Sequence, residues 1–168
     1  MKKLFIIFFS LFIFMSCDDI DPGVHFHGYD EFLKNMEAWQ ETDSCEINYS
    51  YRAGVGPYGN ITTIRDGDSK KLIPPEQYKD LYRFSEEHLK NMGILFYSMT
   101  DIYNYIQNYY EKKKKYCDDD IQIDVYVKYA EMRGLKYPVD FHADLTTSQE
   151  GSGLSDLRLQ INSYREEF

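Results

Sequence analysis

The chain has no hydrophobic run long enough to cross a membrane, few cysteines, no surplus of positive charge and no nucleophile motif. Each shortage excludes something. Its longest apolar stretch, residues 4–15, is broken only by Ser10 and falls short of the roughly 20 residues that a transmembrane helix needs. Lysine and arginine total 19 against 28 acidic residues, a formal net charge of −9. That balance argues against nucleic acid, whose phosphates are met by Lys and Arg, and against a polybasic grip on anionic lipid. No Gly-x-Ser-x-Gly elbow is present to supply a hydrolytic nucleophile, and no internal repeat is visible. Of three cysteines, Cys17 closes the apolar leader, so Cys45 and Cys117 are the only pair left. An even pair outside the cytoplasm can oxidise. Pairing requires Cα atoms within about 7 Å, which the sequence does not supply, so a disulfide and two separate thiols both stay open.

What the sequence does contain begins with an address. Lys2 and Lys3 form a positive n-region, residues 4–15 an apolar h-region, and small Ser16 precedes Cys17. This is the layout of an export signal, and its end resembles a bacterial lipobox. The resemblance implies that residues 1–16 are removed and that Cys17 becomes an acylated first residue. Each buried CH₂ of an acyl chain adds about 0.8 kcal/mol, and stable anchoring needs at least two chains. The expectation is a cell-envelope protein, membrane-anchored through lipid on Cys17 and not membrane-spanning, at the outer membrane or cell surface. Residues 17–28 read as the acylated cysteine and a polar tether broken by Pro22 and Gly23. Residues 29–168 read as a single domain, long enough to bury a core of its own.

Within that domain the hydrophobic period alternates between helix and strand. Phe32, Leu33, Met36 and Trp39 give one helical stripe, with Asp30 as a cap. Cys45, Ile47, Tyr49 and Tyr51 alternate with polar residues as a half-buried strand. Residues 54–59, rich in glycine, read as a loop. Asp66-Gly67 between two short apolar runs marks a hairpin. Pro75 can open a second helix carrying Tyr78, Leu81, Tyr82 and Leu89, with Gly93 as its stop. Thr100 can cap a third helix, in which Ile102, Tyr105, Ile106 and Tyr109 share a face. Residues 121–129, 137–142 and 157–162 read as three further strands. The fold class is α+β, an antiparallel sheet of five to six strands with helices packed on one face. The 16 tyrosines suit half-buried strand faces, since the ring packs like hydrocarbon while the hydroxyl stays wet. The same composition suits an exposed binding surface.

The order of these residues resembles something known. Trp39 closes an opening helix, Asn48-Tyr49-Ser50-Tyr51-Arg52 follows, and a strand ends in Arg65-Asp66-Gly67. Thr100-Asp101-Ile102-Tyr103 then opens a helix before Val127-Lys128-Tyr129, Gly134, Tyr137-Pro138-Val139 and Asp144. The pattern is similar to an uncharacterised family of small bacterial secreted proteins and lipoproteins, and covers residues 32–164. The resemblance implies an α+β fold and an envelope location, and it implies no activity.

Candidate chemistry is scattered. His25 and His27 lie on one side of an extended segment, but zinc wants three or four ligands, and only Asp18, Asp19 and Asp21 are near. His142 and Asp144 could form the base half of a triad, with Ser152 in Gly151-Ser152-Gly153 as a poor nucleophile. Asp118, Asp119 and Asp120 offer oxygen ligands without EF-hand spacing. Residues 112–115, all lysine, complement a helix dipole. Gly54, Gly56 and Gly59 are not a phosphate loop, because Pro57 removes an amide and no Lys-Ser/Thr follows. No catalytic centre, cofactor site or metal site is assigned. Two functions remain, and the first is the expectation because the polar residues are scattered. One is a non-catalytic domain that binds a protein partner through a tyrosine-rich face. The other is a small-ligand binder or hydrolase, with Arg52, His142 or Asp144 pointing into a pocket between sheet and helices.

Overall fold

A computed structural model of the chain describes residues 22–53, 57–117, 121–147 and 157–166. The leader, Cys17 and Asp18 to Asp21 lie outside these residues, as do Asp118, Asp119, Asp120, Gly54, Gly56 and the segment containing Ser152. The described chain forms β1 (Gly23–Phe26), α1 (Tyr29–Ala38), β2 (Ser44–Ala53), β3 (Pro57–Asp66), β4 (Ser69–Ile73), α2 (Glu86–Asn91) and α3 (Met99–Tyr116). β5 (Ile121–Met132), β6 (Leu135–Thr147) and β7 (Leu157–Glu166) complete it. All seven strands join one sheet in the order β1-β5-β6-β7-β2-β3-β4.

The sheet is mixed and seven-stranded, which corrects the expectation of an antiparallel sheet of five to six strands. Six strands pair antiparallel. The seventh, β1, lies parallel to β5 and comes from the segment read as tether. Four residues are too few to show a period of two, so no alternation announced it. Phe26 holds it down, its ring 5.0 Å from Phe32 and 5.3 Å from Tyr110. Similarly, Pro57 and Gly59, assigned to a loop, already belong to β3.

Turn chemistry fixes the hairpins. Asp66 pairs with Ser69 across a two-residue turn whose Gly67 has φ 56°. Met132 pairs with Leu135 across Arg133 and Gly134, both at positive φ, the I′ geometry that matches strand twist.

The helices depart from the sequence reading in three places. The helix expected after Pro75 is broken into 3₁₀ turns at Glu76–Tyr78 and Tyr82–Phe84 and the short α2. Ser85 stops the first part: its backbone is extended, and its hydroxyl accepts the His88 amide as the cap of α2, the local competition that makes serine a helix starter. Leu81 and Tyr82, expected in a buried stripe, are 47% and 62% exposed, and Phe84 is buried instead. For α3 the cap is Ser98 and not Thr100. Its Oγ accepts the Asp101 amide at 3.0 Å, while the Asp101 carboxylate accepts the Tyr97 amide at 2.8 Å. Thr100 donates to Glu41 instead. At α1 the cap position is Gly28, in the left-handed region, and Asp30 sits in the first turn.

One sheet face carries the core. Cys45, Ile47, Tyr49 and Tyr51 of β2 are buried with Leu159 and Ile161 of β7, Ile123 and Val125 of β5, and Phe141 and Ala143 of β6. Met99, Ile102, Tyr103 and Ile106 of α3 belong to the same cluster. Trp39 stands among Tyr103, Tyr137 and Tyr164, with ring centres 6.4, 5.9 and 5.8 Å away. Residues 94–98 cross this face without regular structure, and their carbonyls are met from below. Tyr49 donates to the Ile94 carbonyl at 2.8 Å, Thr63 to Phe96 at 2.5 Å and the Cys45 thiol to Tyr97 at 3.4 Å. Buried backbone polar groups need such partners, which explains a threonine only 1% exposed in the core. Cys45 and Cys117 are thiols not joined to each other; the Cys117 thiol donates to the Ile121 carbonyl.

Candidate functional site

Because side chains alternate along a strand, burying Tyr51, Phe141 and Leu159 turns their neighbours to the opposite face. Register then decides which of those neighbours meet. Tyr126 of β5 lies opposite His142 of β6, His142 opposite Arg158 of β7, and Arg158 opposite Arg52 of β2. His27, just past β1, extends the row, its ring stacked on Tyr126 at 4.4 Å and 5°. The His142 ring stacks on Tyr126 at 4.9 Å and 20°. A line of polar and aromatic groups thus crosses four strands and reaches the end of β1.

At the Arg52 end this face is indented. Arg52, Lys128, Asp140, His142, Asp144 and Arg158 line most of a cleft of about 350 Å³. A smaller depression of about 220 Å³ adjoins it, sharing Arg52 and Arg158 and adding Ser50 and Gln160. Asp140 is only 8% exposed, and Arg158 clamps it through two parallel bonds, Nε to Oδ1 at 2.9 Å and Nη2 to Oδ2 at 2.8 Å. Hydrogen bonding to Asp140, then its charge, raises the Arg158 pKa further. Arg158 is itself half exposed, so water screens the pair, and such pairs contribute about 0–1 kcal/mol. The clamp's main effect is to fix the guanidinium plane. Arg52 and Lys128 make no ion pair among the described residues.

Arg52, His142 and Asp144, the three residues expected to point into a pocket, therefore do converge. They do so on the face away from the core, and not between the sheet and residues 75–115. The space between sheet and α3 is a different cavity, about 430 Å³, lined by Tyr51, Met92, Tyr105, Tyr109, Lys112 and Leu157 among others. There the Tyr105 hydroxyl donates to that of Tyr51 at 3.1 Å, and burial pushes the Tyr109 phenol up to about 12.

The remaining sequence candidates are dispersed. His27 Nε2 is 2.7 Å from Asp124 Oδ1. Burial works to raise the Asp124 carboxyl, but hydrogen bonds from His27 and Gln122 outweigh it and hold the group below its ordinary value. His142 Nε2 stands 3.9 Å from Asp144 Oδ2, too far for a hydrogen bond. Among the described residues no three His, Cys, Asp or Glu side chains are grouped to hold a metal ion. Lys113 and Lys114 lie over the Tyr109 and Tyr110 rings, each 5.6 Å from the centroid. Lys128, Asp140 and Arg158 were missed. The signal was the alternation of Asp140, His142 and Asp144 along one strand; the β6–β7 register that adds Arg158 had no local signature.

No family model matches the chain, and no curated protein or solved structure matches it either.

Proposed function

We propose that this is a lipid-anchored protein of the bacterial cell envelope whose domain binds a small ligand without transforming it. Acyl chains on Cys17 hold it at the outer membrane or cell surface. The leader and the Ser16-Cys17 junction support the anchor. The observation that carries the ligand reading is the convergence of Arg52, His142 and Asp144 in one cleft of about 350 Å³, within the size range of small-molecule sites. A tyrosine-rich docking face for a protein partner has less to rest on. Tyr49, Tyr51, Tyr58, Tyr97, Tyr103, Tyr110 and Tyr164 are buried, and Tyr82 is the tyrosine among the exposed large hydrophobics. The 3.9 Å gap between His142 and Asp144 supports a binding role over a triad-type one.

Two measurements test the two halves. Growth with an alkyne fatty acid should label the wild-type protein and not Cys17→Ala, and only the wild type should partition into detergent. Equal labelling of both refutes the anchor. A thermal-shift screen of neutral, cationic and anionic small molecules should give a saturable rise in melting temperature for one class. No response from any class refutes the ligand reading.

A further inference from the structure

Arg52 and Arg158 face one another directly on neighbouring antiparallel strands. Directly opposite side chains have Cβ atoms about 4.5–5.5 Å apart, and like charges so placed are destabilising. The chain has acid to spare, with a net charge of −9, yet among the described residues one carboxylate, Asp140, serves the pair, and it is committed to Arg158 on both oxygens. Lys128 lies opposite Asp140 from the other side, close enough to line the same cleft and beyond ion-pair distance. Three cations thus meet two carboxylates, Asp140 and Asp144, and the Asp140 clamp leaves the Arg158 Nη1 hydrogens unused. A local rule broken without compensation among the described residues is the kind of conflict that marks functional sites.

We propose that the cleft binds a hydroxyl-bearing organic oxyanion, its phosphate or carboxylate held between Arg52, Arg158 and Lys128. This rests on the small-ligand reading and names the class. Guanidinium forks match both carboxylate and phosphate geometry. Asp144 and His142 of the cleft, with Ser50 and Gln160 of the adjoining depression, supply acceptors and donors for hydroxyl groups. The cleft's volume accommodates a molecule of monosaccharide size. His142 is braced for such contact by its stack on Tyr126, whose ring is stacked in turn against His27.

The test is calorimetric titration of the protein with glucose 6-phosphate, glucuronate, glucose and glucosamine, on wild type and Arg52→Gln, with melting temperatures recorded without ligand. Either anion satisfies the proposal if it binds at least about tenfold tighter than glucose and loses about ten- to hundred-fold in Arg52→Gln, the loss of one charge-assisted hydrogen bond or more. Which anion binds tighter distinguishes phosphate from carboxylate. The ligand-free melting temperature of Arg52→Gln should equal or exceed that of wild type, because the substitution removes a repulsion. A lower ligand-free melting temperature would show that Arg52 already has its partner within the chain and would overturn the proposal. So would anion binding unchanged by Arg52→Gln. Binding of glucose or glucosamine alone would overturn the oxyanion class while leaving the small-ligand reading in place. Silence from all four, together with a silent thermal-shift screen, would remove both.

Discussion

Removing one hydroxyl from the core, in Tyr49→Phe, should unpin the segment that roofs the sheet. Residues 94–98 have no helix or strand to satisfy their backbone, and three core side chains do it for them. Tyr49→Phe keeps the ring packed 5.2 Å from Phe96 and deletes the hydroxyl, which donates to the Ile94 carbonyl and is also hydrogen-bonded by the Phe96 backbone. Tyr49 and Ile94 are both fully buried, so water does not replace the lost bond. The stranded carbonyl costs about 1–3 kcal/mol. For a domain of this size ~2 kcal/mol corresponds to a fall of about 4–8 °C in melting temperature. Thr63→Val, an isosteric change, should cost a similar amount through the Phe96 carbonyl. The two sites lie beneath one short segment, so the double variant should deviate from additivity by about 0.5 kcal/mol or more. Urea unfolding followed by Trp39 fluorescence and far-ultraviolet circular dichroism measures all three. If Tyr49→Phe costs less than about 0.5 kcal/mol, the segment is not held by these bonds and the reasoning fails.

Three further predictions follow from buried groups and caps. Burial raises the Tyr109 and Tyr129 phenols to about 12, against about 10 for an unfolded tyrosine. Because the fold favours their neutral form, this stability is complete below pH 10 and is lost as pH climbs towards 12. The urea midpoint should therefore be flat from pH 7 to 9 and fall above 10, less steeply in Tyr109→Phe; an unchanged slope in that variant would contradict the assignment. Burial, reinforced by the nearby Glu41 charge, lifts the Cys45 thiol to about 11. In a Cys17→Ser, Cys117→Ser background, Cys45 should resist a thiol reagent at pH 8 and react on adding denaturant, and rapid labelling of the folded protein would refute its burial. Ser98→Ala should cost about 1 kcal/mol by uncapping α3, whereas Thr100→Ala should leave the Asp101 amide bonded; the reverse order in urea titrations would restore Thr100 as the cap.

Much of the fold was legible because long elements carry their period openly. The alternation through Cys45, Ile47, Tyr49 and Tyr51 gave β2, and the Asp66-Gly67 dipeptide gave the β3–β4 hairpin. What escaped was short or decided by distant contacts. β1 is visible only as the partner of β5, and its parallel pairing rests on Phe26 finding Phe32 and Tyr110 across the fold. The broken helix after Pro75 turned on Ser85, whose hydroxyl offered the backbone a stop that an apolar stripe does not reveal. The cleft was half legible. Period two places Arg52, His142 and Asp144 on polar faces, but only register brings strands 100 residues apart to the same row. A bulge between Asn48 and Tyr49 on the β2–β7 pair shifts that register, and nothing in the local sequence announces it.

The proposed ligand cleft lies on the polar face of the sheet, opposite the core face that packs against α3. An amide NMR titration with the tightest-binding anion tests it most directly. The shifted amides should belong to β2, β5, β6 and β7 around Arg52, Lys128, His142 and Arg158, and Arg52→Gln should abolish the shifts. Shifts gathered instead around Met92, Tyr105 and Tyr109, lining the cavity between α3 and the core face, would place the site on the wrong side of the sheet and contradict it.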